Sequence, residues 1–184
     1  MSEWVDELSP EGKIIGRVEK MDAHLRGINH PAVHVWVVDS QERVVLQYRS
    51  HLKKIYPLKW DSSVGGHVHA GEHLLTGAQR EMSEEIGTVL PLHELGWADV
   101  DEVDGTYHHC ERIHFYYALL PEGKKLVLNE EFEDVAYIPV HELNDFVSAN
   151  PFTPSFLAGW NAFGEKFLSE LHARDPMNKK AGKK

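Results

Sequence analysis

Glu81, Glu84 and Glu85 stand at i, i+3 and i+4 of the segment Ala-Gln-Arg-Glu-Met-Ser-Glu-Glu-Ile-Gly, residues 78–87. That spacing constrains the fold more than any other feature of the chain. Leu75, Ala78, Met82 and Ile86 recur at helical spacing and Gly87 supplies a stop, so the segment is expected to form a helix with one apolar stripe on a core. The three carboxylates then share one helix face. Like charges so placed cost roughly 0.2–0.5 kcal/mol per pair when nothing neutralises them. A hard divalent cation, which takes oxygen ligands, would turn that repulsion into a binding site.

The preceding loop agrees with this reading. It runs Ser62-Ser63-Val64-Gly65-Gly66 and reaches Glu72 through Gly71. Glycines let backbone carbonyls approach a metal, or backbone amides a phosphate, because no side chain blocks the way. Arg80 is expected to pair with Glu72 and so hold the loop to the helix.

Residues 66–88 as a whole fit the pattern G-x5-E-x7-R-E-U-x-E-E-x-G-U, where U is aliphatic, through Gly66, Glu72, Arg80, Glu81, Met82, Glu84, Glu85 and Gly87. The segment therefore resembles the Nudix box. Thr88 departs from the final aliphatic slot, and Val89 is expected to fill it. The resemblance implies a Nudix-type α/β/α sandwich with a mixed β-sheet, and Mg2+ as cofactor with Mn2+ as a substitute. Glu81 and Glu85 are the implied metal ligands, Glu84 a further ligand, and Glu72 an orienting partner.

The chain has 184 residues, 42% apolar and 26% charged, which suits one domain with one core, set at residues 1–178. No apolar run approaches the ~18 residues of a membrane span, and the start Met1-Ser2-Glu3-Trp4 lacks a signal segment. With a single cysteine, Cys110, this reads as a cytoplasmic protein. Residues 1–178 carry 15 basic and 29 acidic groups, a net of −14 that disfavours nucleic-acid partners. Lys179, Lys180, Lys183 and Lys184 make residues 179–184 a basic tail, expected to be disordered. The oligomeric state is open, a homodimer included.

Pro31–Asp39 and Arg43–Arg49 read as a β-hairpin, Tyr107–Leu119 as a long strand and Asp134–Val140 as a short one. A last helix is expected from about Ser155 to Ala173, with Phe156, Trp160, Phe163, Phe167 and Leu171 as core packing. Two helices against a mixed sheet give the α/β/α arrangement independently of the box.

Residues 49–60, the run Ser63-Val64-Gly65-Gly66-His67 and the stretch from Gly16 to Val35 are similar to isopentenyl diphosphate isomerases, a branch whose likeness covers most of residues 3–172. In that branch basic residues ahead of the tryptophan contact diphosphate, which implies Arg49 and Lys53 or Lys54 here, beside Gly65 and Gly66. The isomerases carry a catalytic cysteine where this chain has Gly65, and a carboxylate pair on the later strand where it shows Cys110-Glu111-Arg112. His24, His30 and His67 resemble the histidines around the isomerase metal, yet with that carboxylate pair missing a histidine-bound metal is not expected. His108 and His109, adjacent on a strand, point to opposite faces and do not chelate together.

The resemblance as a whole implies a Mg2+-dependent hydrolase that cleaves the diphosphate bond of a small molecule, a nucleoside diphosphate linked to another moiety or a related organic diphosphate. Glu131, ahead of the final strand, is the expected acceptor of the water proton, which gives a catalytic set of Arg80, Glu84 and Glu131. An isomerase and a non-catalytic nucleotide-binding module are the alternatives.

Overall fold

The computed structural model describes residues 2–174; the basic segment 179–184 lies outside them. The chain begins with an antiparallel hairpin, β1 (Trp4–Leu8) and β2 (Ile14–Glu19), followed by the short helix α1 (Lys20–Arg26). Glu19 caps that helix by accepting the N–H groups of Met21 and Asp22. Val5, Val18 and Ala23 form a small apolar cluster that fixes hairpin to helix.

The main sheet is built from β3 (His30–Val38), β4 (Arg43–Arg49), β5 (Trp60–Asp61) and β6 (Val64–His67), then β7 (Leu92–Asp104), β8 (Tyr107–Leu119) and β9 (Phe132–Pro139). Between β6 and β7 lies α2 (Leu74–Ile86), and after β9 come α3 (Leu143–Ala149) and α4 (Pro154–Arg174). β3 and β8 pair in parallel and every other pairing is antiparallel, so the sheet is mixed.

β3 is buried along its whole length, as expected of a strand covered on both faces. Its period-two alternation assigns the layers. Val33, Val35 and Val37 pack with Ala78, Met82 and Ile86 under α2. Ala32, Trp36 and Val38 pack on the opposite face with Phe115, Tyr117, Phe156 and Phe167 under α4. The α/β/α sandwich is thus present, with Phe156, Trp160, Phe163, Phe167 and Leu171 all on the core side of α4.

Two packing expectations are corrected. Leu75 is 49% exposed, and Leu74 takes its place against the core because the helix begins at Leu74 and turns its inner face toward Gly77, Ala78 and Glu81. Val89 is also exposed, at 47%, while Thr88 and Leu90 are buried. Gly87 closes α2 in the left-handed conformation at φ 67°, which turns the chain so that residue 88 points inward. The hairpin of β3 and β4 pairs only at Val37↔Val45 and Val38↔Val44; beyond that the two strands part, β5 pairs with β4 at Gln47 and Tyr48, β6 takes the vacated edge of β3 from Ala32 to Val35, and β9 pairs with β4 from Arg43 to Arg49.

Phe167 is fully buried, with its ring centroid 5.1 Å from that of Trp36 and 5.6 Å from that of Tyr117. Phe167→Ala is expected to lower the unfolding free energy by about 3–5 kcal/mol, because α4 cannot close the void without leaving the sheet. Urea denaturation checks this, and a loss under about 1 kcal/mol would show that the helix repacks.

Candidate active site

The place where β4 parts from β3 is a cavity of about 240 Å3, whose lining includes Glu81, Glu84, Glu85, Arg80, Gly65, Gly66, Lys53 and Glu131. α2 supplies the carboxylates, and their helical positions decide their surroundings. Glu81 and Glu85 follow Gly77 and Ala78 on the inward face and are buried, with Glu85 only 2% exposed, whereas the Glu84 side chain is 56% exposed. Burial pushes Glu81 up to about 7 against the opposing pull of Arg80. Burial, with Glu131 and Glu81 nearby, raises Glu85 well above the carboxylate range.

Arg80 gathers this corner. Its Nε and Nη2 donate to Glu72 at 3.2 and 3.1 Å, its Nη1 donates to Glu81 at 2.7 Å and to Glu84 at 3.3 Å, and its Nη2 also reaches the His67 carbonyl at 2.8 Å. Glu72 in turn accepts the His69 N–H, so loop and helix are fixed to each other. Gly66 faces Glu81 so closely that a Cβ there would lie 2.2 Å from its carboxyl carbon, and Gly65 N–H points at Glu85 from 3.4 Å. Two buried carboxylates beside an apolar stripe, of which only Glu81 is paired with the Arg80 guanidinium, form a donor set suited to a hard divalent cation.

The opposite wall comes from residues 49–61 and 129–131. Lys53 pairs with Glu131, and backbone bonds from Asn129 N–H to the Glu85 carbonyl and from Ser50 N–H to the Glu131 carbonyl hold that loop beside α2. Arg49 lines the cavity, but its guanidinium is committed to the carbonyls of Ile55 and Tyr56 and to Asp61. It thereby braces the 50–59 turn while remaining part of the cavity wall. Lys54 is exposed and outside the cavity lining, whereas Lys53 is part of it.

A second cluster shares the cavity. His24 from α1, His30 from β3, His67 from β6 and Glu111 from β8 bring one ligand atom each within 4.8 Å of one another. The expectation that the later strand offers the histidines no carboxylate is corrected. Parallel pairing sets His30 directly opposite Glu111, which lies 3.1 Å from His67 Nε2 and 3.6 Å from His30 Nε2.

His30 Nδ1 sits 2.7 Å from the Ile28 carbonyl and must donate to it, so a ring with no second proton turns a bare lone pair at Nε2 toward a carboxylate. Nε2 has no hydrogen-bond partner among the described residues. Two facing acceptors need a cation or a proton between them. Burial, reinforced by His67, pushes His24 down to about 3, and burial also lowers His67, so neutral imidazole nitrogens are available as ligands. Three imidazoles and a carboxylate fit a transition metal better than magnesium.

His109 shares the strand face of Glu111, 3.1 Å from its Oε2 and 3.0 Å from Ser155 Oγ at the start of α4, while His108 turns away to Asp101. Sequence reading missed Glu111, His109, Ser155 and Lys20 as cavity residues. The i, i+2 spacing of His109 and Glu111 on a strand was a usable signal. The parallel register that delivers His30 to Glu111 was not.

The family model for the NUDIX domain matches residues 28–158. Nudix hydrolase 3 of Arabidopsis thaliana is 32% identical over 158 residues, 79% of this chain, which spans a fifth (20%) of that protein's length. The isopentenyl-diphosphate Delta-isomerase of Serratia proteamaculans is 31% identical over 160 residues, 85% of this chain and 89% of its own. The crystal structure of DR0079 from Deinococcus radiodurans superposes with a TM-score of 0.66 at 21% identity, covering 85% of this chain and 95% of that one, a likeness of fold.

Two variants probe the two clusters separately. Gly66→Ala places a methyl against the Glu81 carboxylate, the flexible end of a side chain, so the fold should persist while the carboxylate shifts. Metal-dependent turnover is expected to fall by about 100-fold, the order seen for an ångström-scale misplacement, with the melting temperature nearly unchanged; retained turnover would show that Glu81 has slack. Glu111→Gln is expected to abolish Co2+ binding at the histidine cluster, read by visible absorption and calorimetry, and undiminished Co2+ affinity would remove Glu111 from the ligand set.

Proposed function

The chain belongs to the Nudix family, hydrolases of pyrophosphate bonds that act generally on nucleoside diphosphate derivatives, and from that premise we propose a Mg2+-dependent hydrolase of a small organic diphosphate, working in the cytoplasm. The observation that carries the proposal is the buried pair Glu81 and Glu85, which faces Gly65–Gly66 and opens into the same cavity as Arg80, Lys53 and Glu131. Glu81 and Glu85 would hold the cation, with Glu84 at the exposed rim as a further ligand. The bound cation would neutralise diphosphate charge and make water acidic enough to attack phosphorus. Arg80 keeps Glu81 and Glu84 oriented through the contacts already described. Glu131, whose charge bears on Glu85, would take the proton of that water, and its partner Lys53, also in the cavity wall, would offer a cation to the substrate's oxygens.

A second reading, isomerisation of isopentenyl diphosphate to its allylic isomer, draws support from the cluster of His24, His30, His67 and Glu111 and from the isomerase relative. Against it stands the cavity wall itself. Gly65 offers no thiol, and Cys110, the single cysteine, is not among the lining residues.

Both readings are tested by assaying the purified protein with Mg2+ against ADP-ribose, nucleoside diphosphate sugars, dinucleotides, nucleoside triphosphates and isopentenyl diphosphate. Hydrolysis of a nucleotide diphosphate bond is expected. Formation of dimethylallyl diphosphate without phosphate release would favour the isomerase instead. Glu85→Gln is expected to lower kcat by at least about 100-fold, since it removes an anionic ligand at nearly constant shape. Metal-free Glu85→Gln protein should melt no lower than wild type near pH 8, because a buried carboxylate with a raised pKa is costly to ionise there. Activity within twofold of wild type would contradict the assigned platform.

A further inference from the structure

Directly opposite residues of an antiparallel pair present their side chains on the same face. His34 on β3 is paired with Gly65 on β6, so the imidazole covers one of the two glycines of β6 that line the cavity. The ring is buried, and a Cβ at Gly65 would lie 3.0 Å from His34 Nε2. His34 lines the cavity, Nε2 is its atom nearest the Gly65 position, and Nδ1 on the other side of the ring lies 2.8 Å from Ser62 Oγ.

Ser62 settles which nitrogen carries the hydrogen. Its Oγ receives the indole N–H of Trp36 at 3.0 Å, and an indole nitrogen is a donor only. Were His34 Nδ1 also to donate, the buried hydroxyl would hold two donors while its own hydrogen found no acceptor among the described residues. Satisfying all three groups requires the chain Trp36 N–H to Ser62 Oγ, then Ser62 O–H to His34 Nδ1. The Nδ1 atom is then an acceptor, and the hydrogen resides on Nε2.

We propose that His34 is a substrate-binding residue whose Nε2–H, fixed by the Trp36–Ser62 relay, donates to a non-bridging oxygen of the diphosphate lodged over Gly65. The proposal rests on the diphosphate reading and deepens it. The groups facing the ring are Asp61, whose Oδ1 is 3.6 Å from Nδ1 and is occupied by Ser62 N–H, with Arg49, Glu111, His109 and the Phe115 ring beyond. Burial lowers the pKa of His34 more than Asp61 and Glu111 raise it, so the ring is neutral. An uncharged donor contributes to diphosphate binding without competing with the cation for carboxylates.

Two measurements test this. Long-range proton–nitrogen correlation spectra of 15N-histidine-labelled protein should show His34 as the Nε2–H tautomer, and Ser62→Ala should move it toward Nδ1–H. Calorimetric binding of methylenediphosphonate in the presence of Mg2+ should weaken about tenfold in His34→Met, as for loss of one hydrogen bond to a charged group. It should stay within about threefold of wild type in His34→Gln, whose amide N–H reaches a similar point. Mg2+ binding without the diphosphonate should be the same in all three proteins, which also verifies that the variants are folded. Equal diphosphonate affinity in wild type and His34→Met, or an Nδ1–H tautomer in wild type, overturns the proposal alone. Failure of the wild type to bind methylenediphosphonate at all overturns the diphosphate reading and the proposal with it.

Discussion

The uninterrupted parallel pairing of β3 with β8, from His30↔Glu111 to Val38↔Leu119, is the contact on which everything else rests. It makes β3 a strand buried on both faces, and so compels covering layers on both sides. The α2 layer and the α4 layer each find an alternate set of β3 residues to pack against. The same register turns the N-terminal end of the pair into chemistry, because a histidine and a carboxylate far apart in sequence become nearest neighbours. Packing and ligand assembly therefore have one cause.

The cavity exists because β3 changes partners on its other edge. β4 pairs with β3 for two residues and then parts from it, leaving an opening whose edges are taken by the two-residue β5 on β4 and the four-residue β6 on β3. Two of those four residues are glycines, and each admits a different functional group: Gly66 the Glu81 carboxylate and Gly65 the His34 imidazole. A side chain at either point would fill the space the cavity occupies. Glycine here serves close approach rather than unusual backbone torsion, since neither residue has a positive φ.

Much of this was legible beforehand, and what was legible was local. The α2 helix, its stop at Gly87, the strand Tyr107–Leu119 and the aromatic stripe of α4 all follow from residue spacing within single elements. Side-chain direction at the helix start was not legible: Leu74 and Leu75 are both good stripe residues, and only the observed first turn decides between them. Where the cations of residues 49–54 point was not legible for a related reason. Tyr56 and Leu58 adopt positive φ, a conformation that no residue type there announces, and the resulting turn occupies Arg49 and directs Lys54 outward. The histidine cluster needed four elements in tertiary register, and neither hydrophobic period nor motif carries that information.

His67 shows how closely the two acidic centres are joined. Its carbonyl accepts from Arg80, the residue that orients Glu81 and Glu84, while its imidazole lies 3.1 Å from both Glu111 and His24. The short strand β6 thus presents its backbone to one cluster and its side chain to the other. Either cluster alone is a group of buried donors with too little positive charge, in a chain of net charge −10. The His67 carbonyl is held to Arg80 and Gly66 is packed on Glu81, so adjacent residues of one short strand join the two clusters through direct contacts.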